Sequence, residues 1–190
     1  MDHPLINFIK NIKPLADAEE KLLAETFELK KVKDGEYLFH AGKVCKELYF
    51  IADGVLRIFG LNEKGNEVTR SFLKENQFCS ILHSFYNQDL AEDSIQAATY
   101  AEIYVASRQN LFKLYEQLPY VKDLIDEINQ QSMMRKIKMR NAYQGEDSAS
   151  RYQLFLKLQP EIATRVSMNN IASYLGITPQ SLSRIRRNTK

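Results

Sequence analysis

Hydrophobic side chains change their spacing along the chain, and this change predicts different elements in different stretches. Over residues 4–29 they recur at helical spacing, with Asp17 placed to cap a second helical run. From about residue 30 to residue 106 the pattern becomes short runs rich in β-branched and aromatic residues, separated by turns that contain glycine or asparagine. Many short strands with such turns are typical of a small antiparallel barrel or roll. The strands do not alternate with helices as in a βαβ fold, so a Rossmann domain is not expected.

A second helical stretch begins at Ser107, which is placed to cap a short helix, and continues from Pro119 to about Tyr143. On a helical wheel, one face of the long helix carries Val121, Leu124, Ile125, Ile128, Ser132, Met139, Ala142 and Tyr143, with Arg135 among them. Three further apolar residues, Met133, Met134 and Ile137, lie elsewhere around the helix. A helix with more than one apolar surface needs partners for both, the predicted roll for one and an identical helix for the other. The alternative is that the chain covers both surfaces itself.

The last 23 residues, 168–190, have the pattern of two short helices that cross through a tight turn. Gly176 follows the first helix and can adopt the positive φ that a sharp helix end needs. Thr178 can cap the second helix, and Pro179 suits its first position. Buried positions are expected at Ile171, Ala172, Leu175, Ile177, Leu182 and Ile185. Residues 144–148 are predicted to end the long helix and to cap the next one, from Ser150 to Leu158, which leads into this unit.

Charge is distributed unevenly along the 190 residues. The chain has a net charge of +2, but from Ile162 onward it carries five cationic side chains and no acid, which leaves −3 for residues 1–161. A basic helix-turn-helix favours double-stranded DNA as partner, because the second helix enters the major groove. The residues predicted to contact DNA are Thr178, Pro179, Gln180, Ser181, Ser183, Arg184 and Arg187. The charge run alone would equally suit a solvated helical tail.

Composition and motifs narrow the function classes further. Apolar residues make up 44% of the chain, enough for ordinary cores, and no apolar stretch approaches the ~20 residues that span a bilayer, so a cytoplasmic protein without membrane contact is expected. Cys45 and Cys79 predict neither a disulfide framework nor a metal centre, and the Cys79–His83 spacing is better explained by packing than by a metal or haem. No catalytic or cofactor motif is found, so we expect neither enzyme activity nor a bound cofactor.

The order of these elements resembles the Crp/Fnr family of bacterial transcription regulators. The resemblance rests on 32–42 and 48–57, which look like the paired-glycine signature of cyclic-nucleotide-binding domains, and on 171–185. It implies an α+β fold: an antiparallel β-roll with flanking helices (1–118), a long dimerisation helix (119–145) and a helix-turn-helix domain (146–190). Homodimers of the family are joined by the long helix and present two recognition helices to a palindromic site. The dimer contacts would be made by Val121, Leu124, Ile125 and Ile128.

The stretch that corresponds to the family's phosphate cassette departs from the pattern of members that bind cyclic AMP. Those members have Gly-Glu near its start and Arg-Ser at its end, where this chain has Ser80-Ile81 and Asp93-Ser94. An acid facing a phosphate is repulsive, so cyclic AMP is not expected to bind in the usual mode. Any effector pocket would involve Phe78, Cys79, Ser80, Ile81, Leu82, Asp93 and Ser94.

The recognition helix and the chain end also differ from the family's best-known members. Pro179 and Gln180 stand where those members have Arg and Glu, so their base preference does not carry over. The sequence ends at Lys190, before the β-hairpin wing of many relatives, and the wing's phosphate contacts would come from elsewhere or be absent. The sequence thus predicts a DNA-binding transcription regulator with an unidentified small-molecule effector and RNA polymerase as a further candidate partner. The alternative is a ligand-binding or interaction module whose C-terminal helices serve assembly.

Overall fold

The computed structural model describes residues 3–188, so the predicted cation Lys190 lies outside the described residues. The helices are α1 Pro4–Lys10, α2 Asp17–Thr26, α3 Leu82–Asn87, α4 Arg108–Gln117, α5 Pro119–Tyr143, α6 Ser148–Leu158, α7 Pro160–Arg165, α8 Met168–Leu175 and α9 Pro179–Asn188. The strands are β1 Glu28–Val32, β2 Tyr37–Phe39, β3 Glu47–Asp53, β4 Leu56–Leu61, β5 Glu67–Leu73, β6 Phe78–Cys79, β7 Ser94–Ala97 and β8 Ala101–Ser107. None of the helices within residues 3–188 is long and apolar enough to cross a bilayer.

The strands form the predicted antiparallel roll. They pair as two four-stranded sheets, in the orders β1-β8-β3-β6 and β2-β7-β4-β5, and every pairing between these strands is antiparallel. Apolar side chains from both sheets fill the roll: Val32, Tyr49, Ile51, Leu56, Ile58, Leu73, Cys79, Ile95, Ala97, Ala101 and Ile103. The α+β architecture expected from the sequence is therefore confirmed.

Gly54 joins β3 to β4 where the backbone passes very close to the start of β8. Its φ is +100°, and a Cβ at this position would lie 2.5 Å from both the Cβ of Ala101 and the backbone oxygen of Tyr100. Any other residue would combine backbone strain with overlap. The glycine-containing turn seen in the sequence is thus a requirement of packing as well as of chain reversal.

The predicted starts of α4 and α5 hold. Ser107 accepts a hydrogen bond from the Asn110 N–H at 3.1 Å at the start of α4, and α5 begins at Pro119 and ends at Tyr143 as expected. The N-terminal stretch forms two helical runs, as predicted, and Pro14, which has no N–H, lies between them. The second run ends at Thr26, earlier than the predicted residue 29, because β1 begins at Glu28.

The cap of α2 and the start of α6 need correction. The backbone N–H of Ala16, not the side chain of Asp17, takes part in the cap of α2, donating to the Glu19 carboxylate at 2.8 Å. Helix α6 starts two residues earlier than predicted, because Asp147 accepts a hydrogen bond from the Ser150 N–H at 2.8 Å and caps it. Both errors arise because a carboxylate one turn away can fix a helix start that spacing alone leaves ambiguous.

The C-terminal helices share a core with the outside of the roll. Val55, Phe72 and Ala98 of the roll pack in one cluster with buried residues of α6–α9: Tyr152, Phe155, Ile162, Ile171, Ala172, Leu175 and Leu182. Tyr174 of α8 stands at the junction, with ring centroids 5.2 Å from Phe72 and 5.6 Å from Phe155. Such aromatic contacts fix the position of the C-terminal unit against the sheet.

Candidate nucleic-acid interface and effector site

Helices α8 and α9 form the predicted helix-turn-helix. Gly176 ends α8 with φ of +68°, and the Ile177 N–H donates to the Ala172 oxygen at 3.0 Å, which closes the helix end as a glycine cap does. Arg151 of α6 adds a second contact, since its Nη1 donates to the Leu175 oxygen at 2.8 Å. The angle between the two helices is therefore set by local backbone chemistry and by a side chain from the preceding helix.

Helix α9 buries one side and leaves the other free. Leu182 is fully buried and Ile185 is half-buried against the same core. The Thr178 hydroxyl caps the helix, accepting from the Ser181 N–H at 3.1 Å. The structure places all seven predicted DNA contacts on this helix or at its cap: Ser181 is half-buried, and the exposed ones are Thr178, Pro179, Gln180, Ser183, Arg184 and Arg187.

Not every cation of α9 is free. The Arg186 Nη1 lies 2.9 Å from the Met168 sulfur, which holds this guanidinium beside the start of α8. Arg184 and Arg187 have no hydrogen-bond or ion-pair partner within residues 3–188. These two guanidinium groups are therefore the ones left available for an external anionic partner.

The start of the predicted effector stretch is packed into the protein. Cys79 is buried, and burial raises the pKa of its thiol to about 12. The buried Ser80 hydroxyl donates to the Glu47 backbone oxygen at 2.9 Å and lies 3.4 Å from the Cys45 sulfur. Phe78 packs in a core cluster with Phe27 and Phe50. Ile81 and Leu82, which follow, are half-buried at the start of α3.

The end of the stretch is also engaged internally. The Asp93 carboxylate lies directly over Gly60 and pairs with Arg70, whose Nε is 3.4 Å away. The Ser94 hydroxyl accepts a hydrogen bond from the Ala41 N–H at 2.9 Å. No cluster of three or more His, Cys, Asp or Glu side chains suited to a metal ion occurs within residues 3–188. The Cys79 thiol is buried, whereas the His83 imidazole is exposed and contacts Asn87 and Asp89.

The roll matches a known domain family. Residues 29–118 match the family described as cyclic nucleotide-binding domain. This match covers the roll and helix α4, slightly less than half of the chain. A search of curated protein sequences finds no match to the chain.

The whole chain has the fold of Crp/Fnr regulators. It superimposes on the c-di-GMP responsive global regulator CLP of Xanthomonas campestris with a TM-score of 0.72 and 14% identity, covering 92% of this chain and 91% of that one. For a crp/fnr-family transcriptional regulator from Eubacterium rectale the TM-score is 0.74 at 18% identity, covering 96% and 87%. For FixK2 from Bradyrhizobium japonicum it is 0.71 at 14% identity, covering 85% and 83%. The resemblance noted in the sequence is confirmed at the level of fold.

Packing within the chain decides which side chains of α5 are exposed and could contact a second chain. Val121 and Ile125 are fully buried in the core that joins α5 to α1, α2, α4 and the roll, and Leu124 and Ile128 are half-buried against it. Val121 and Ile125 are therefore used within the chain itself, whereas Leu124 and Ile128 keep part of their surface exposed. The large apolar side chains that stay exposed on α5 are Met133, Met134 and Ile137.

Polar contacts between the roll and α8 were not predicted from the sequence. The Ser173 hydroxyl accepts hydrogen bonds from the Thr69 N–H at 2.9 Å and from the Thr69 hydroxyl at 3.1 Å, and donates to the Glu67 oxygen at 3.0 Å. Thr69 and Ser173 are 104 positions apart in the sequence. No local pattern could have joined them.

A second missed contact ties the roll to α7. The Arg165 guanidinium donates two hydrogen bonds to the Glu75 carboxylate, at 2.7 and 3.0 Å, and the Gly54 N–H donates to the same carboxylate at 2.8 Å. Partial burial by itself would raise the pKa of Glu75, but the bonds from Arg165 and from the backbone outweigh it, and the pKa is lowered. The lowered pKa means that the ionised carboxylate contributes to stability.

We expect Glu75→Gln to lower the free energy of unfolding at pH 7 by about 1–2 kcal/mol, because a paired and charge-assisted contact is lost. A carboxyl with a lowered pKa stabilises the fold above its unfolded pKa and loses that effect as pH falls through the folded value. The difference between variant and wild type should therefore shrink on acidification. Urea unfolding at neutral and acidic pH measures it. Glu63→Gln, in an exposed turn, is the control, and an equal loss in both variants would contradict the assignment.

Proposed function

We propose that the chain is a DNA-binding transcription regulator that acts as a homodimer. The observation that carries this proposal is the exposed face of α9, which presents Gln180, Ser183, Arg184 and Arg187 to solvent while Leu182 anchors the helix. Arg and Gln side chains pair with guanine and adenine edges, and Ser adapts to bases or phosphates. The N-terminal half of a recognition helix is where such side chains meet the major groove.

Electrostatics supports the same partner. From residue 162 to the end, the sequence has five cationic side chains and no acid. Cations that neutralise phosphates release condensed counterions from DNA, which favours binding at low salt. The exposed guanidinium groups of Arg184 and Arg187 lie on the face that would approach the duplex.

The alternative function, assembly through the C-terminal helices, is less well supported. A symmetric contact between two copies through α9 would bring Arg184 and Arg187 of each copy against one another, and like charges at such an interface are repulsive. The apolar side of α9 is not available for assembly either, because Leu182 and Ile185 pack within the chain.

The dimer that we propose pairs α5 with its copy through a surface different from the one predicted. Met133 is 54% exposed, Met134 57% and Ile137 39%, and the three lie in one short stretch of α5, residues 133–137. Large apolar side chains so close together on one helix favour burial against a partner. A two-fold axis at this surface would present two α9 helices to a palindromic site.

The effector, in this proposal, is not cyclic AMP bound in the usual mode. Asp93 stands near Ser94 where a phosphate-binding arginine would be needed, and it is paired with Arg70. Arg57, another candidate for a phosphate contact, is 5% exposed and is occupied by Glu67, Gln96 and Thr69. The Xanthomonas regulator CLP is responsive to c-di-GMP, which is said of that protein and not of this chain. RNA polymerase remains a candidate partner.

Arg184→Ala should weaken binding to a selected operator by about 1–3 kcal/mol and relax its sequence preference, because a base contact is lost. Arg187→Ala should weaken binding to all DNA sequences. It should also reduce the slope of log affinity against log salt concentration by about one, the value expected for one lost phosphate contact. Fluorescence anisotropy with an operator selected from random DNA, at several salt concentrations, measures both. Lys21→Ala, on the exposed side of α2, is the control for loss of charge alone. DNA affinity unchanged by both arginine substitutions would refute the assignment of α9.

Ile137→Glu should convert the dimer to monomers and weaken operator binding, because it places a charge in the proposed contact. Sedimentation velocity at about ten micromolar protein, a range in which stable dimers persist, measures the change. Lys138→Glu is the matched control, since its side chain is exposed on the same helix. A wild-type monomer, or dissociation by both variants alike, would contradict this dimer surface.

Isothermal titration with cyclic AMP and with cyclic GMP should give no saturable heat at millimolar ligand. The reason is that the cassette offers Asp93 and apolar surroundings in place of a carboxylate for the ribose and an arginine for the phosphate. Micromolar affinity for either nucleotide would show that this part of the proposal is wrong, and would direct attention to Arg70 as the phosphate contact.

A further inference from the structure

A cavity of about 250 Å³ lies where three parts of the chain meet. Its walls come from the end of β5 and the loop before β6, from the middle of α5, and from the segment that joins α6 to α7. Much of the lining is apolar: Phe72, Met139, Leu158, Pro160 and Ile162. A partly apolar cavity at a domain junction is a common setting for a small-molecule site.

Cationic groups dominate the charge at this junction cavity. Lys74, Arg135 and Lys136 line it together with one acid, Glu161. Lys74 pairs with Glu161, whereas Arg135 and Lys136 have no ion-pair or hydrogen-bond partner within residues 3–188. The cavity therefore holds two positive charges that the described part of the chain does not balance.

Lys136 gives the stronger evidence for a bound anion, because its side chain is half-buried whereas that of Arg135 is exposed. Burial lowers the pKa of Lys136, and the neighbouring Cys79 thiol opposes this only partly. A partly desolvated ammonium group without a counterion is unfavourable. A bound anion would remove that penalty.

The junction cavity is separate from the stretch that corresponds to the phosphate cassette. Its lining includes none of the seven residues predicted for an effector pocket. Phe72 packs with the C-terminal helices, while the adjacent Leu73 packs inside the roll, so the cavity lies on the outer side of β5. The cavity residues and the cassette residues can be substituted separately, although Lys136 also lies near the buried Cys79 thiol.

We propose that the junction cavity binds a small amphipathic organic anion, whose charged group contacts Lys136 and whose apolar body packs on Phe72, Met139 and Ile162. A carboxylate or a phosphate would serve as the charged group, since either can accept hydrogen bonds from an ammonium. The volume suits a metabolite-sized ligand and is too small for a peptide or a lipid with long chains.

Binding here would be coupled to the position of the helix-turn-helix. The ligand would touch the roll through Phe72, α5 through Lys136 and the C-terminal unit through Ile162. A ligand that binds one arrangement of these parts better than another shifts their equilibrium, and the effect on DNA affinity is reciprocal. This coupling rests on the proposed DNA binding, whereas the binding of the anion does not.

The first experiment titrates the full chain with 8-anilinonaphthalene-1-sulfonate, a fluorescent amphipathic anion. We expect saturable binding to the wild type and at least about tenfold weaker binding to Lys136→Met, which keeps the length of the side chain and removes its charge. Lys136→Arg should bind within about threefold of the wild type, and Lys138→Met, an exposed lysine on the same helix, should not differ from it. Wild-type affinity in Lys136→Met, or equal losses in Lys136→Met and Lys138→Met, would overturn the proposal.

An uncharged probe separates anion recognition from a general affinity for apolar molecules. N-phenyl-1-naphthylamine, which lacks the sulfonate, should bind more weakly than the anion and should not distinguish Lys136→Met from the wild type. Stronger binding of the uncharged probe would mean that the cavity recognises apolar surface alone, and the proposal would be wrong. Thermal unfolding of each variant checks that the protein is folded, so that a loss of structure is not mistaken for a loss of binding.

Displacement of the bound sulfonate identifies the charged group. Benzoate and phenyl phosphate share an aromatic body and differ in their anion, and benzamide is the neutral counterpart. Displacement by either anion but not by benzamide supports the site and identifies the charged group that it binds. Displacement by benzamide, or by none of the three compounds, refutes the site. Operator affinity should then change at least about threefold with the effective anion in the wild type and stay constant in Lys136→Met. If DNA does not bind at all, the probe titrations still decide the cavity, so the two proposals fail separately.

Discussion

A helix of 25 residues cannot bury all its sides against a domain of this size, and α5 shows how the structure responds. Its N-terminal half packs Val121 and Ile125 into the core with the roll and the short helices. The C-terminal half passes beyond that core, with Met139 and Tyr143 facing the C-terminal helices. The remaining apolar side chains, from Met133 to Ile137, are left on the outside. The dimer surface that we propose and the junction cavity both follow from this partial burial.

The position of the helix-turn-helix depends on a few long-range contacts laid over one shared core. Phe72 and Tyr174 bring the sheet and α8 together, and the Ser173 hydroxyl is satisfied by the backbone of β5. The Glu75–Arg165 pair adds an electrostatic contact at the edge. Polar groups that are satisfied only in one arrangement make that arrangement specific, because separating the two parts leaves them to be solvated again. The orientation of α9 is thus linked to the state of the roll.

The two ends of the predicted effector stretch and the junction cavity differ in how their polar groups are satisfied. Ser80, Asp93 and Ser94 all have partners within the chain. Lys136, in contrast, faces a cavity with no acid paired to it within residues 3–188. A ligand site generally contains polar groups that have no partner within the protein, since such groups gain most from a new contact. This contrast favours the outer side of β5 over the cassette as the place where a ligand binds.

The sequence by itself determined the elements whose signals are local. Gly176, Thr178 and Pro179 defined the turn and the start of α9 because positive φ, a side-chain cap and a proline at the first position act within a few residues. Ser107 and Pro119 did the same for α4 and α5. The glycine-containing turns and short β-rich runs were enough to predict an antiparallel roll.

Tertiary structure alone decided which faces of those elements meet. The helical wheel showed two apolar surfaces on α5, but only packing assigned Val121 and Ile125 to the core and Met133, Met134 and Ile137 to the exterior. The wheel marked Arg135 as the cation on the buried side, whereas the structure half-buries Lys136 and exposes Arg135. The sequence does show Lys136 among apolar positions, and this was a signal from which its burial could have been predicted. The contact of Ser173 with Thr69, across 104 positions, had no such signal, because a hydrogen bond between distant segments leaves no periodicity in either.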